Sequence, residues 1–141
     1  MPSKGNAKWQ GDLESGSGTF RAGDDITGNY SFKSRFEDGD GANPEQLIGA
    51  AHSACFSMAL SDALAEAGTP VDSVETEAVV TLRIVDGAPT ITKIALTTVG
   101  SVPGLDDAAF TAAAQDAKEN CPVSGALAGV GEITLEASLA G

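Results

Sequence analysis

Histidine occurs once in the 141 residues, at position 52, and cysteine twice, at positions 55 and 121. Three such ligands are too few for the four-coordinate cage of a structural zinc. No haem or flavin motif accompanies them, so the sequence calls for no bound metal or cofactor. Basic residues are also scarce: eight Lys and Arg stand against twenty Asp and Glu, a formal net charge of −12. Such a surface repels nucleic acid and anionic membranes, which excludes both as expected partners. There is no unbroken apolar run of about 18 residues, so no membrane span is expected. The N-terminal MPSKGNAKWQGDL has no apolar h-region of a secretory signal. These absences point to the cytoplasm. In that reducing compartment two cysteines are reactive or incidental rather than a structural staple. The length corresponds to a single domain, residues 1–141, with enough chain to bury a core unaided.

What is present falls into short and long periodic segments. The first forty residues are Gly-rich and polar. Ala7 and Trp9 alternate with Lys8 and Gln10, and Tyr30 and Phe32 with Ser31 and Lys33, which predicts short strands joined by Gly turns. Glu37 to Gly41 is an acidic loop. A helix is predicted from Pro44 to about Ala67: Asn43 is a good N-cap, Gln46 completes a capping box, and Gly68 and Pro70 stop it. From Leu47 to Leu60 this helix is apolar nearly all round, the pattern of a helix buried on every side. At about 35 Å it is too long for so small a domain to enclose alone, so a homodimer that wraps it is expected. Val74 to Ile84 alternates as a long strand, Asp86-Gly87 is a turn, and Ile91 to Val99 returns. Asp106 to Lys118 reads as a helix, Cys121-Pro122 opens a further helical turn, and Ile133 to Leu139 is a last strand. The order implies an α+β fold on antiparallel sheets with a long buried central helix.

Few side chains offer chemistry. Cys55 lies mid-helix in AHSACFSMAL; it is either an inert small hydrophobe or a thiol activated by a nearby cation, because an apolar setting alone keeps a thiol protonated. His52, one turn earlier, could form a Cys-His pair for acyl transfer, or simply be hydrogen-bonded to a neighbour. Arg35, one of three arginines, closes the run YSFKSRF and is either a surface charge or the partner of Cys55. Glu45, in the first turn of the long helix, either favours the helix dipole or clamps a guanidinium. Cys121, at the start of a helical turn in ENCPVSGAL, is placed where amides lower a thiol pKa. One buried and one helix-terminal thiol suggest a redox pair.

The stretch SRFEDGDGANPEQLIGAAHSACFSMALS (Ser34 to Ser61) closely resembles the OsmC branch of the OsmC/Ohr hydroperoxide reductases, and ENCPVSGAL (Glu119 to Leu127) resembles that family's second-cysteine motif. KWQGDLESGSGTF (Lys8 to Phe20) and ITKIALTTVGSVPGLD (Ile91 to Asp106) are similar to the same family. The resemblance covers essentially the whole chain. It implies an intertwined α+β homodimer with active sites at the subunit interface. It implies a peroxidase for organic hydroperoxides, serving oxidative or osmotic stress defence. Cys55 is then the peroxidatic and Cys121 the resolving cysteine, with Arg35 activating the thiolate and Glu45 holding Arg35.

On that footing Cys55 becomes a sulfenic acid, condenses with Cys121 to a disulfide, and is regenerated by an external dithiol, dihydrolipoamide or a lipoylated protein. Phe36, Phe56 and Met58 are the expected apolar walls for the substrate. Two rivals stand beside this expectation: a Cys55–His52 acyl-transfer or hydrolase enzyme, and a non-catalytic protein holding an apolar ligand.

Overall fold

Cross-strand aromatics organise the first sheet. The computed structural model describes residues Met1–Gly141. Strands β1 (Gly5–Gln10), β2 (Ser17–Ala22) and β3 (Ile26–Tyr30) form an antiparallel meander in that order. Trp9 and Tyr30 flank Gly18 across the sheet, with ring centroids 5.5 Å apart. Opposed aromatic pairs of this kind fix strand register.

The strand expected to continue past Tyr30 is instead a helix, α1 (Phe32–Phe36). The reason is a reciprocal cap: the Ser34 amide donates to the Ser31 hydroxyl oxygen, and the Ser31 amide donates to Ser34 Oγ. Two orphan amides are thereby satisfied, and a five-residue helix becomes affordable despite its alternating pattern. Ser34 Oγ also donates to the Ala42 carbonyl at 2.7 Å, and Asn43 Nδ2 donates to the Ser34 carbonyl. These bonds tie α1 to the loop that precedes the long helix.

Helix α2 (Pro44–Glu66) has the expected bounds. Asn43 and Gln46 cap it reciprocally, side chain to amide in both directions. Gly68, at φ 89°, ends it, and the amides of Gly68 and Thr69 close on the carbonyls of Ala65 and Leu64. The chain divides into two compact units, Met1–Leu47 and Ile48–Gly141, and α2 runs through the boundary.

The second unit is built on strands β4 (Ser73–Val85), β5 (Ala88–Ser101) and β6 (Glu132–Leu139), with helices α3 (Asp107–Asn120) and α4 (Pro122–Ala126) between the last two. β4 and β5 are an antiparallel hairpin closed by Asp86-Gly87, both at positive φ, as a two-residue turn demands. β6 runs parallel to β5, which corrects the expectation of purely antiparallel sheets. The α3–α4 segment carries the chain back across the sheet, and such a crossover permits a parallel return. Phe56, Leu60 and Leu64 of α2 pack with Ile94 and Leu96 of β5 and Phe110, Ala114 and Ala117 of α3 as the core.

Within one chain α2 is buried on one face only. Gly49, His52, Phe56, Leu60 and Leu64 point inward, while Ala50, Ala54, Met58 and Asp62 are exposed. The expectation of a helix buried on every side is therefore not met within the chain: the apolar residues Ala50, Ala54 and Met58 face outward. By length and composition alone α2 is long and apolar enough to cross a membrane, a test that the core helix of a soluble protein also passes. Alanine, glycine and serine interrupt its larger apolar side chains, so no continuous run announces it.

Candidate active site

In the Met1–Leu47 unit the sequence-nominated Arg35 and Glu45 are joined. Arg35 lies in the last turn of α1 and Glu45 in the first turn of α2. Arg35 Nη2 donates to Glu45 Oε1 at 2.8 Å, and Nε donates to Oε1 and Oε2 at 3.2 and 3.3 Å. Glu45 is 7% exposed. A buried carboxylate with a fork-on partner is strongly oriented. Nη1 makes no hydrogen bond in the chain, so one edge of the guanidinium stays available. Its carbon stands 5.4 Å from the centroid of the Phe36 ring, which in turn packs on Phe32. Ser34, which sequence reasoning did not single out, holds this unit together through the bonds described above. Its signal was the Ser31-x-x-Ser34 spacing of a cap.

In the Ile48–Gly141 unit Cys55 and Cys121 are brought together as free thiols, each close enough to perturb the other's ionisation. Cys55 comes from the middle of α2 and is partly buried; Cys121 is the N-cap of α4 and 1% exposed. The Ser124 amide donates to Cys121 Sγ at 3.3 Å. The Cys121 thiol donates to Ser124 Oγ, also at 3.3 Å. Behind Ser124 stands His52, fully buried, with Nε2 2.7 Å from Ser124 Oγ. Its other nitrogen, Nδ1, is buried with no partner. Ser124 is the second residue the sequence reading missed. The Cys-x-x-Ser spacing across an N-cap was its only sign.

The two thiols are poised in opposite directions. Burial pushes Cys55 up, and the neighbouring Cys121 adds to the rise, against a hydrogen bond from the Val123 amide. Burial raises Cys121 as well, but the Ser124 hydroxyl and amide, the Cys55 thiol and the Val123 amide together outweigh it and hold Cys121 below its usual value. Hydrogen bonds to the charged form win at one sulfur and desolvation at the other. Burial lowers His52, since an imidazolium is poorly solvated there. His52 faces Ser124 rather than forming a hydrogen bond with Cys55, which removes the geometric basis of a Cys55–His52 acyl-transfer pair.

The three expected wall residues have different settings. Phe56 is fully buried in the core of its unit. Met58 is 75% exposed and lines an open groove with Ser57, Ser61, Ala65, Val71 and Val74. Phe36 belongs to the Arg35 cluster in the other unit. No grouping of His, Cys, Asp and Glu could hold a metal ion.

Comparison with known proteins agrees with this architecture. Residues 37–136 match the family model described as OsmC-like protein. The chain is 49% identical over 138 residues to Peroxiredoxin OsmC of Escherichia coli (strain K12), covering 96% of this chain and 95% of that protein. Among solved structures, the organic hydroperoxide resistance protein OhrB of Bacillus subtilis aligns with a TM-score of 0.74 at 25% identity, covering 99% of this chain and 98% of that one. The organic hydroperoxide resistance protein OsmC of Legionella pneumophila aligns with a TM-score of 0.71 at 23% identity, covering 98% of this chain and 97% of that one.

Proposed function

This chain belongs to the OsmC-like family, and on that premise we propose that it is a thiol-dependent peroxidase that reduces organic hydroperoxides to alcohols. The observation that carries the reading is the pair of neighbouring free thiols with opposed ionisation. Cys55 is the attacking sulfur and Cys121 the resolving one. Burial keeps Cys55 protonated in its own unit, so the reaction requires a cation. Arg35, oriented by Glu45, supplies it in a homodimer. At an effective dielectric of about 20, opposite unit charges ~4 Å apart gain about 4 kcal/mol, roughly three pKa units at 1.4 kcal/mol each. That is enough to offset the burial of a thiolate.

The Cys55 thiolate attacks one peroxide oxygen, the O–O bond breaks, and the alkoxide leaves as alcohol after taking a proton; the guanidinium stabilises its developing charge. Cys121 then displaces the oxygen of the Cys55 sulfenic acid as water, giving the Cys55–Cys121 disulfide. An external dithiol, such as dihydrolipoamide on a lipoylated protein, reduces it by exchange in the cytoplasm. The cycle needs no bound metal, haem or flavin.

Intact-mass measurement after one equivalent of cumene hydroperoxide tests the roles. The wild type should lose two hydrogens, and Cys121→Ser should keep one added oxygen. An unmodified Cys55→Ser control completes the assignment, and wild-type protein whose mass does not change would refute it. A substrate preference follows if the dimer brings apolar walls to Cys55, since within the chain Phe56 lies in the core and Met58 is exposed. Burying about 100 Å² of an alkyl tail gives about 2.5 kcal/mol, or ~70-fold, over hydrogen peroxide. Equal kcat/KM for cumene hydroperoxide and hydrogen peroxide would rule out such walls.

A further inference from the structure

Resting on that reading, we propose that His52 and Ser124 form a buried proton relay that serves Cys121 during disulfide formation. The geometry is a line of three groups. Cys121 Sγ donates to Ser124 Oγ at 3.3 Å, and Ser124 Oγ lies 2.7 Å from His52 Nε2. With the thiol protonated, the serine hydroxyl donates to Nε2, and the ring proton sits on Nδ1. That nitrogen is buried without an acceptor, an arrangement that costs about 1–3 kcal/mol and that an apolar side chain would avoid. A histidine kept at such a cost, with its free lone pair aimed along a hydroxyl at a resolving thiol, is placed to accept a proton from that thiol.

The step balances. Cys121 sulfur attacks the sulfenyl sulfur of Cys55; the S–S bond forms and the S–O bond breaks. Cys121 is oxidised and Cys55 reduced. The Cys121 proton passes through Ser124 Oγ to His52 Nε2, and once the S–S bond has consumed the thiolate that proton returns through Ser124 to the departing hydroxide, which leaves as water and leaves the ring neutral. Transfer along the line leaves the trio with no net charge, so the buried imidazolium forms only while the thiolate faces it. The Ser124 amide, already on Cys121 Sγ, stabilises that thiolate.

Within the Ile48–Gly141 unit no carboxylate or ammonium competes. The titratable group facing Cys121 besides this line is Cys55 from α2. On α3 Lys118 is engaged with the Ile133 carbonyl, Glu119 accepts from Gln115, and Asp116 is exposed. On the sheet Lys93 pairs with Glu132, and Glu136 is exposed.

The test separates the two chemical steps. Sulfenic acid formation and disulfide formation are timed by quenched intact-mass measurement from pH 5 to 9 for the wild type, Ser124→Ala, Ser124→Thr and His52→Gln. Ser124→Ala and His52→Gln should slow disulfide formation at least tenfold, with sulfenic acid formation slowed far less. Ser124→Thr, which keeps the hydroxyl, should recover most of the rate. Equal slowing of both steps at every pH, or no slowing, would overturn the relay; failure of sulfenic acid to form in wild type would instead overturn the peroxidase reading. A second measurement requires no substituted side chain. His52 is the only histidine, so its ring nitrogens can be followed by NMR in the reduced protein and in the protein oxidised to the disulfide by diamide. The relay requires its titration to shift between the two forms. Identical titrations would overturn it.

Discussion

Cys55, a thiol raised by burial, reacts only if something offsets that burial, and Arg35 is the cation proposed to do so. Replacing Arg35 by Ala removes the cation, and the rate of Cys55 oxidation by cumene hydroperoxide should fall at least 100-fold. Arg35→Lys keeps the charge but loses the fork that Glu45 grips through Nε and Nη2, so an intermediate loss is expected. Thiolate ultraviolet absorbance against pH checks the cause, because Arg35→Ala should move the Cys55 titration upward. A fall in rate with an unmoved titration would leave Arg35 acting only on the peroxide. His52 gives a stability consequence. Its folded pKa lies below the unfolded value of about 6.5, so as pH falls below that value the unfolded chain takes up a proton that the folded one refuses. Stability contributed by the neutral ring is then lost progressively until the folded pKa is reached. Urea midpoints from pH 7 down to pH 5 should fall more steeply for wild type than for His52→Gln, and parallel slopes would exclude the effect. At this scale the candidate residues were legible as candidates because cysteine, histidine and arginine are rare here. Ser34 and Ser124 were not, since serine is common and becomes informative only when a cap fixes where its hydroxyl points.

At the scale of elements, caps and turns were read well where side chain and backbone agree. Asn43 with Gln46, Asp86 with Gly87, and Asp106 with its bond to the Ala109 amide all stood at the predicted ends. Two features escaped. Phe32–Phe36 alternates like a strand, but the Ser31–Ser34 cap decides in favour of a helix. The parallel direction of β6 is a property of the α3–α4 crossover, and alternation within a strand is blind to the direction of its neighbour. Packing between these elements turns on Gly100 of β5, where a Cβ would collide with the Phe110 ring of α3. Phe110 is fully buried and cannot yield without disturbing the core. Gly100→Ala should therefore lower stability by about 1–3 kcal/mol, read as a drop in the urea midpoint. Gly125→Ala, where a Cβ meets open space, is the matched control and should change little.

For the whole molecule the unsettled surface is the outer face of α2. Ala50, Ala54 and Met58 form an exposed apolar stripe along it, and Met58 opens onto a groove shared with Ala65, Val71 and Val74. A second copy of the chain is the occupant that the proposed homodimer supplies, and it turns a half-covered helix into a buried one. Charge sets the conditions. Each copy carries a formal −12, so two copies repel at long range, and salt screens that repulsion within about 10 Å at 0.1 M. Association through an apolar stripe on acidic chains should therefore strengthen as salt rises, whereas association through ion pairs would weaken. Sedimentation equilibrium of the wild type should give a dimer whose Kd falls from low to moderate salt. Met58→Glu takes the formal net charge of each chain from −12 to −13, with the added charge on the stripe, and should raise the Kd at least tenfold, while leaving the circular dichroism spectrum unchanged. A monomer at micromolar concentration in moderate salt, or a Met58→Glu protein that dimerises as tightly as wild type, would remove this face as the contact.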